Sequence, residues 1–102
     1  MLNTATRLDT MARVGRALAD RTRCLILLRL LDGPAFPAEM ADDLGLSRPN
    51  VSNHLTCLRG CGLVVGTPMG RRVRYELAEA DLARALESLL AVALVVDDGC
   101  PT

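Results

Sequence analysis

Apolar residues recur at helical spacing in Leu8, Met11, Val14 and Leu18, which predicts a first helix over about 8–19. Asp20 then stands where an N-cap belongs, ahead of the stretch "RTRCLILLRLL". This predicts a second helix, ended by Asp32-Gly33, with Cys24, Leu27, Leu28 and Leu31 on its apolar face. "GPAF" breaks the chain, and "PAEMADDL" reads as a short third helix with Pro37 in its first turn and a stop near Gly45. Ser47 opens a fourth helix, "SRPNVSNHLTCLRGCG", in which Val51, Leu55 and Leu58 take the i, i+4, i+7 spacing of one buried stripe. Pro49 is acceptable there because it lies in the first turn.

Only Gly45-Leu46-Ser47 separates the third helix from the fourth, so residues 37–61 read as a helix-turn-helix. The period then changes. Leu63-Val64-Val65 and Val73-Arg74-Tyr75-Glu76-Leu77 are β-type runs, and Pro68-Met69-Gly70 between them has turn chemistry, so residues 63–77 predict a hairpin. A last helix follows over about 80–96, and 97–102 form a short polar tail. Leu82, Leu86, Leu89, Ala93 and Val96 make one stripe of that helix, and Leu90 and Leu94 widen it. A face that wide exceeds what one small domain can cover, and a dimer interface is the expected use. The expectation is a single domain over 1–102, mainly α with a small β-hairpin. It is a winged helix-turn-helix that pairs as a homodimer through its first and last helices.

Composition narrows the picture. Phe36 and Tyr75 are the only aromatic residues, so the core must be aliphatic, which suits packed helices. No apolar run reaches the roughly 18–20 residues that span a bilayer. There is no basic-then-apolar leader at the N-terminus, so a cytoplasmic protein with no membrane partner is expected. In a reducing compartment Cys24, Cys57, Cys61 and Cys100 favour thiols or metal ligands over a disulfide framework. One histidine, no nucleophile–base arrangement and no phosphate loop leave an enzyme without support.

The net charge of zero hides an asymmetry. From Leu46 to Tyr75 there are five arginines (Arg48, Arg59, Arg71, Arg72, Arg74) and no Asp or Glu. The fourth helix also carries Asn50, Ser52, Asn53 and His54, short side chains suited to base edges or phosphates. Arg71 and Arg72 follow the predicted turn and would lie on a wing against the DNA backbone. A solvated helix face and a basic edge strand would explain either feature alone. Both in this order favour double-stranded DNA, with Ser47, Arg48, Asn50, Ser52, Asn53, His54, Arg71, Arg72 and Arg74 as the candidate contacts.

The segment "LSRPNVSNHLTCLRGCGLVVGTPMGRRVRYEL" resembles the helix-turn-helix and wing of the ArsR/SmtB family of bacterial metal-responsive repressors. The marks are the Ser52-x-His54-Leu55 step, Leu58, Gly62-Leu63-Val64 and the Gly70-Arg71…Tyr75 wing, while "RALADRTRCLILLRLLDG" resembles the family's second-helix segment. The resemblance runs from Arg16 to Leu77. It implies a homodimeric repressor that binds an operator and releases it on binding metal.

Within the family the sensing sites differ. The metalloid-type Cys-x-Cys of the third helix is absent from "PAEMADDL". The zinc-type site of the last helix needs Asp and His pairs, and here Asp81 and Glu87 have no histidine beside them. Cys57, Cys61 and Cys100 are similar to the ligand set of the family's cadmium- and lead-sensing type, which takes thiolates from the recognition-helix end and the C-terminal tail. Cys57 and Cys61 match the helix pair, and Cys100 matches the tail ligand more loosely. At about 100° per residue Asn50, His54, Cys57 and Cys61 share one stripe beside the buried face. Thiols at i, i+4 sit about 5–6 Å apart at Cβ, within reach of one ion. Three thiolates suit Cd(II) or Pb(II) as effector, with Zn(II) a weaker candidate.

Other uses of the same residues stay open. Cys57 and Cys61 could pack as small hydrophobes, and Cys24 is expected to do so. His54 belongs with the DNA-binding motif rather than the ligands. A thiol redox switch would use the same cysteines, and a dimeric interaction module that no longer binds DNA is the alternative from another class.

Overall fold

The computed structural model describes residues 3–92. Its elements run α1 (Thr4–Leu18), α2 (Arg21–Leu31), α3 (Pro37–Leu44), α4 (Arg48–Gly60), β1 (Val64–Met69), β2 (Arg72–Leu77) and α5 (Ala80–Ala91). This is a winged helix-turn-helix: α3 and α4 form the helix pair, and β1 and β2 pair antiparallel as the wing.

Helix ends follow local chemistry. Asn3 caps α1, its side chain accepting from Thr6 N–H at 2.8 Å, so α1 begins at Thr4 rather than at Leu8. The apolar spacing starts only at Leu8, which is why periodicity placed the start late. Asp20 caps α2 by accepting from Arg23 N–H at 3.0 Å, and Ser47 caps α4 by accepting from Asn50 N–H at 3.2 Å. Gly45 ends α3 in the left-handed region at φ 67°.

The core gathers Ile26, Leu27 and Leu30 of α2, Met40 and Ala41 of α3, and Val51, Leu55 and Leu58 of α4. Leu63 and Val64 close it from the wing side, and no polar or charged residue is buried among the described residues. Each large aliphatic side chain so buried contributes about 1.5–3 kcal/mol. Helix α2 lies at the centre, packed on α1, α3, α4 and β2. Its buried face is Ile26-Leu27-Leu30, not the Cys24-Leu27-Leu28-Leu31 face that spacing suggested. That second face lines a half-open apolar cavity of about 230 Å³, whose other walls are Leu18 of α1 and Leu86, Leu89 and Leu90 of α5. Cys24 is half-buried there, its thiol donating to Leu18 C=O at 3.2 Å.

The hairpin is longer and tighter than its β-type runs predict. Met69 pairs with Arg72, so Pro68 and Met69 belong to β1 and only Gly70 and Arg71 form the loop. Gly70 takes φ 67° and no described non-glycine residue has positive φ, the pattern of a glycine-first two-residue turn. Pro68 is tolerated because β1 is an edge strand. On its other side β2 meets Ala35: Ala35 N–H donates to Tyr75 C=O at 2.9 Å and Tyr75 N–H to Ala35 C=O at 2.8 Å. This bridge ties the wing to the segment that leads into α3.

Helix α5 packs on β2 and has no buried residue, although Leu82 and Leu86 lean on the core. It ends at Ala91 with Val92 extended, and the stripe positions Ala93, Leu94 and Val96 lie outside the described residues.

Candidate nucleic-acid interface and thiol pair

Helix α4 is oriented by its buried stripe. With Val51, Leu55 and Leu58 at 1% exposure or less, the rest of its surface is fixed. Ser52, Asn53, Thr56, Cys57 and Arg59 are exposed, and Asn50 and His54 are half-buried on one flank. Ser47 and Arg48 are exposed at the N-terminus, where free backbone N–H groups and the positive end of the helix dipole favour phosphate. The Ser47 oxygen is already engaged by Asn50 N–H, which leaves its O–H to donate. Thr56, absent from the expected contacts, shares the exposed face and donates its hydroxyl to Ser52 C=O at 3.0 Å. Its i+4 relation to Ser52 was the available signal.

The wing arginines part company. Arg71 lies in the loop itself rather than after it and is exposed. Arg72 opens β2, and its guanidinium carbon lies 3.5 Å from the centroid of the Phe36 ring. Arg74 is half-buried, with Nε shielded from solvent and without a hydrogen-bond partner among the described residues. Of the three, Arg71 is exposed with no side-chain hydrogen bond or ion pair among the described residues, Arg72 is held by its face, and Arg74 is half-buried against the protein. Phe36 had no sequence signal for this role, because the contact crosses from the α3 entry to the wing.

Cys57 is exposed in the last turn of α4, and Cys61 is half-buried as its C-cap, packed against the core. Cys61 N–H donates to Cys57 C=O at 3.0 Å, so the two residues bracket one helical turn. Neither thiol makes a hydrogen bond among the described residues. The helix then stops firmly. Gly62, at φ 80°, donates its N–H to Arg59 C=O at 3.0 Å, and Leu63 N–H donates to Leu58 C=O at 3.0 Å. This is a Schellman motif with Leu58 and Leu63 buried together. Among the described residues no three His, Cys, Asp or Glu side chains are placed to hold one ion, and Cys100 lies outside the described residues.

Near the start of α2, the Asp20 carboxyl is held below its ordinary range. The main cause is the Arg23 N–H it accepts; desolvation opposes this, and the Arg23 guanidinium and the His54 ring add to the lowering. Arg23 also donates to Ala17 C=O at 3.1 Å and Arg16 C=O at 2.8 Å, so it clamps the end of α1 to the start of α2.

Residues 20–65 match the bacterial regulatory protein arsR family. The HTH-type transcriptional regulator CmtR of Mycobacterium tuberculosis is 59% identical over 101 residues, 99% of this chain and 86% of that protein. The NMR structure of the cadmium metal-sensor CmtR from Mycobacterium tuberculosis superposes with a TM-score of 0.72 at 63% identity, covering 89% of this chain and 95% of that one. A homodimeric winged helix-turn-helix DNA-binding domain from Mycobacterium bovis superposes with a TM-score of 0.77 at 37% identity, covering 85% and 82% of the two chains.

Proposed function

This chain belongs to the arsR family of bacterial transcriptional regulators, and from that premise we propose a dimeric repressor that releases operator DNA on binding a soft divalent metal ion. Cd(II) or Pb(II) is the effector, with Zn(II) a weaker candidate. The observation that carries this reading is the placement of Cys57 and Cys61 around the last turn of the exposed helix α4, with neither thiol hydrogen-bonded among the described residues. The cadmium sensor of Mycobacterium tuberculosis supports it as a relative.

The donor set fits. Two thiolates one turn apart select a thiophilic ion but leave its coordination incomplete. Cys100 supplies the third thiolate, from the same chain or its partner. When bound, the ion offers a soft electrophilic centre around which these sulfurs gather. Cys61 caps α4 and leads through Gly62 and Leu63 into β1. Drawing its thiolate toward Cys57 and Cys100 therefore strains the joint between recognition helix and wing. Ser47, Arg48, Asn50, Ser52, Asn53 and His54 of the helix region, with Arg71, Arg72 and Arg74 of the wing, then no longer fit one stretch of duplex together. Linkage requires DNA to weaken metal binding by the same factor.

The test is a gel-shift titration with Cd(II) under reducing conditions, on an operator selected from a random duplex library. DNA should be released at about one Cd(II) per protomer, with thiolate-to-metal absorption in the ultraviolet. Cys57→Ser and Cys61→Ser should keep operator affinity and lose the release. Cys100→Ser should do the same if the tail supplies the third ligand. Full operator binding by the wild type at saturating Cd(II) would sink the proposal. Release by peroxide, reversed by dithiothreitol and indifferent to metal, would transfer the role to a redox switch.

A further inference from the structure

Phe36 and Tyr75 are the chain's only aromatic residues, and both serve the wing. Phe36 reaches it from outside the hairpin. It is the N-cap position of α3, and its ring lies under the guanidinium of Arg72, 3.5 Å from carbon to centroid. The platform is fixed by three hydrogen bonds. Ala35 and Tyr75 exchange two, at 2.9 and 2.8 Å, and Phe36 N–H donates to the Glu39 carboxylate at 3.0 Å.

A guanidinium stacked by its face keeps its N–H donors in plane, at the free edge. Arg23, Arg29 and Arg84 spend their donors on backbone carbonyls or carboxylates. Among the described residues the Arg72 side chain has no such hydrogen bond or ion pair, and the residue is exposed. Arg72 is thus an oriented cation whose hydrogen-bonding edge is unused, in a stretch of chain without acidic residues.

We propose that Phe36 is a positioning residue for DNA: it holds the Arg72 guanidinium so that its edge meets a backbone phosphate. The inference rests on the DNA-binding reading above. An arginine free in solvent loses rotamer freedom when it grips a phosphate, whereas one already stacked has lost much of it. Because Phe36 also begins α3, the same contact couples the wing to the helix-turn-helix, and both meet the duplex as one surface.

Fluorescence anisotropy with a short labelled mixed-sequence duplex tests this without knowledge of the operator, read as affinity against salt between about 50 and 200 mM. Arg72→Ala should lower the salt slope by about 0.9, the signature of one lost phosphate contact. Phe36→Leu should weaken binding roughly two- to fivefold, Phe36→Tyr should restore it, and Phe36→Leu should cost nothing further on an Arg72→Ala background. Arg72→Lys tests the stacking with Phe36 intact: the charge remains but the planar face is gone, so affinity should fall while most of the slope is kept. An unchanged slope in Arg72→Ala, wild-type affinity in Arg72→Lys, or equal weakening by Phe36→Leu in both backgrounds would overturn the proposal while DNA binding stands. Absence of duplex binding by the wild type at low salt would remove the DNA-binding reading and this inference with it.

Discussion

At the residue scale, the wing turns on a missing side chain. A Cβ built on Gly66 would lie 2.9 Å from Val73 Cγ1 and 3.1 Å from the Tyr75 ring. Both neighbours sit on the same face of the hairpin, with Tyr75 directly opposite Gly66. Val73 is stiff at χ1 and the Tyr75 backbone is held by its two bonds to Ala35, so relief can come only from a shift of the strand or of the Tyr75 ring. Gly66→Ala should cost about 1–3 kcal/mol of stability, measured by urea denaturation; an unchanged midpoint would show that the ring moves freely. Asp20 gives a prediction in pH. Its carboxyl is shifted down in the folded chain, so its contribution is complete above the unfolded value of about 4 and is lost as pH falls through the lower folded value. Asp20→Asn keeps the cap but removes the titration. It should flatten the fall of Tm on the acid side of about pH 4, and an acid limb identical to wild type would refute the assignment.

At the element scale, the end of α4 is the joint that matters, because it carries the thiol pair and aims the wing. Gly62 holds φ 80° with nothing within 4 Å of where a Cβ would go, so replacing it tests the backbone alone. Gly62→Ala should destabilise by about 1–2 kcal/mol, read from the urea midpoint. An unaltered midpoint would mean that the Schellman bonds contribute little. Much of the helical frame was legible beforehand. The stripe Val51-Leu55-Leu58, the caps Asp20 and Ser47, and the stop at Gly45 follow from side-chain chemistry within four residues, which a sequence displays directly. The wing was less legible. Its alternation is interrupted by Gly66, Pro68 and Gly70, and only the pairing of Met69 with Arg72 reveals that two of the apparent turn residues are strand. The α2 faces were exchanged for a similar reason: both are apolar, and only the placement of α5 decides which one meets the core and which a cavity. The partition of the wing arginines was invisible, since it depends on Phe36 meeting Arg72 across more than thirty residues of chain.

At the scale of the whole molecule, the described chain leaves one apolar side uncovered. Leu8 and Met11 of α1 are 65% and 76% exposed, and Leu89, Leu90 and Val92 at the end of α5 are each more than half exposed. The two helices contribute to one open groove, lined by Met11, Val14, Leu18 and Leu89. A contiguous patch of this kind on a small domain is a place for a partner, and a second copy related by a two-fold axis presents the same surface back to it. The wings and α4 helices of the pair would then fall at a fixed separation, to be matched by two operator half-sites. Leu8→Asp with Met11→Asp places charge on positions that are exposed in the single chain and take no part in the cavity beside α2, so the fold of each protomer should survive, as circular dichroism can verify. Sedimentation should show monomer where wild type shows dimer, and the dependence of Tm on protein concentration should vanish. Operator affinity should fall by about a hundredfold or more as the two half-site contacts cease to reinforce each other. A doubly substituted protein that still sediments as a dimer would place the interface elsewhere, and the uncovered face of α1 and α5 would need another occupant.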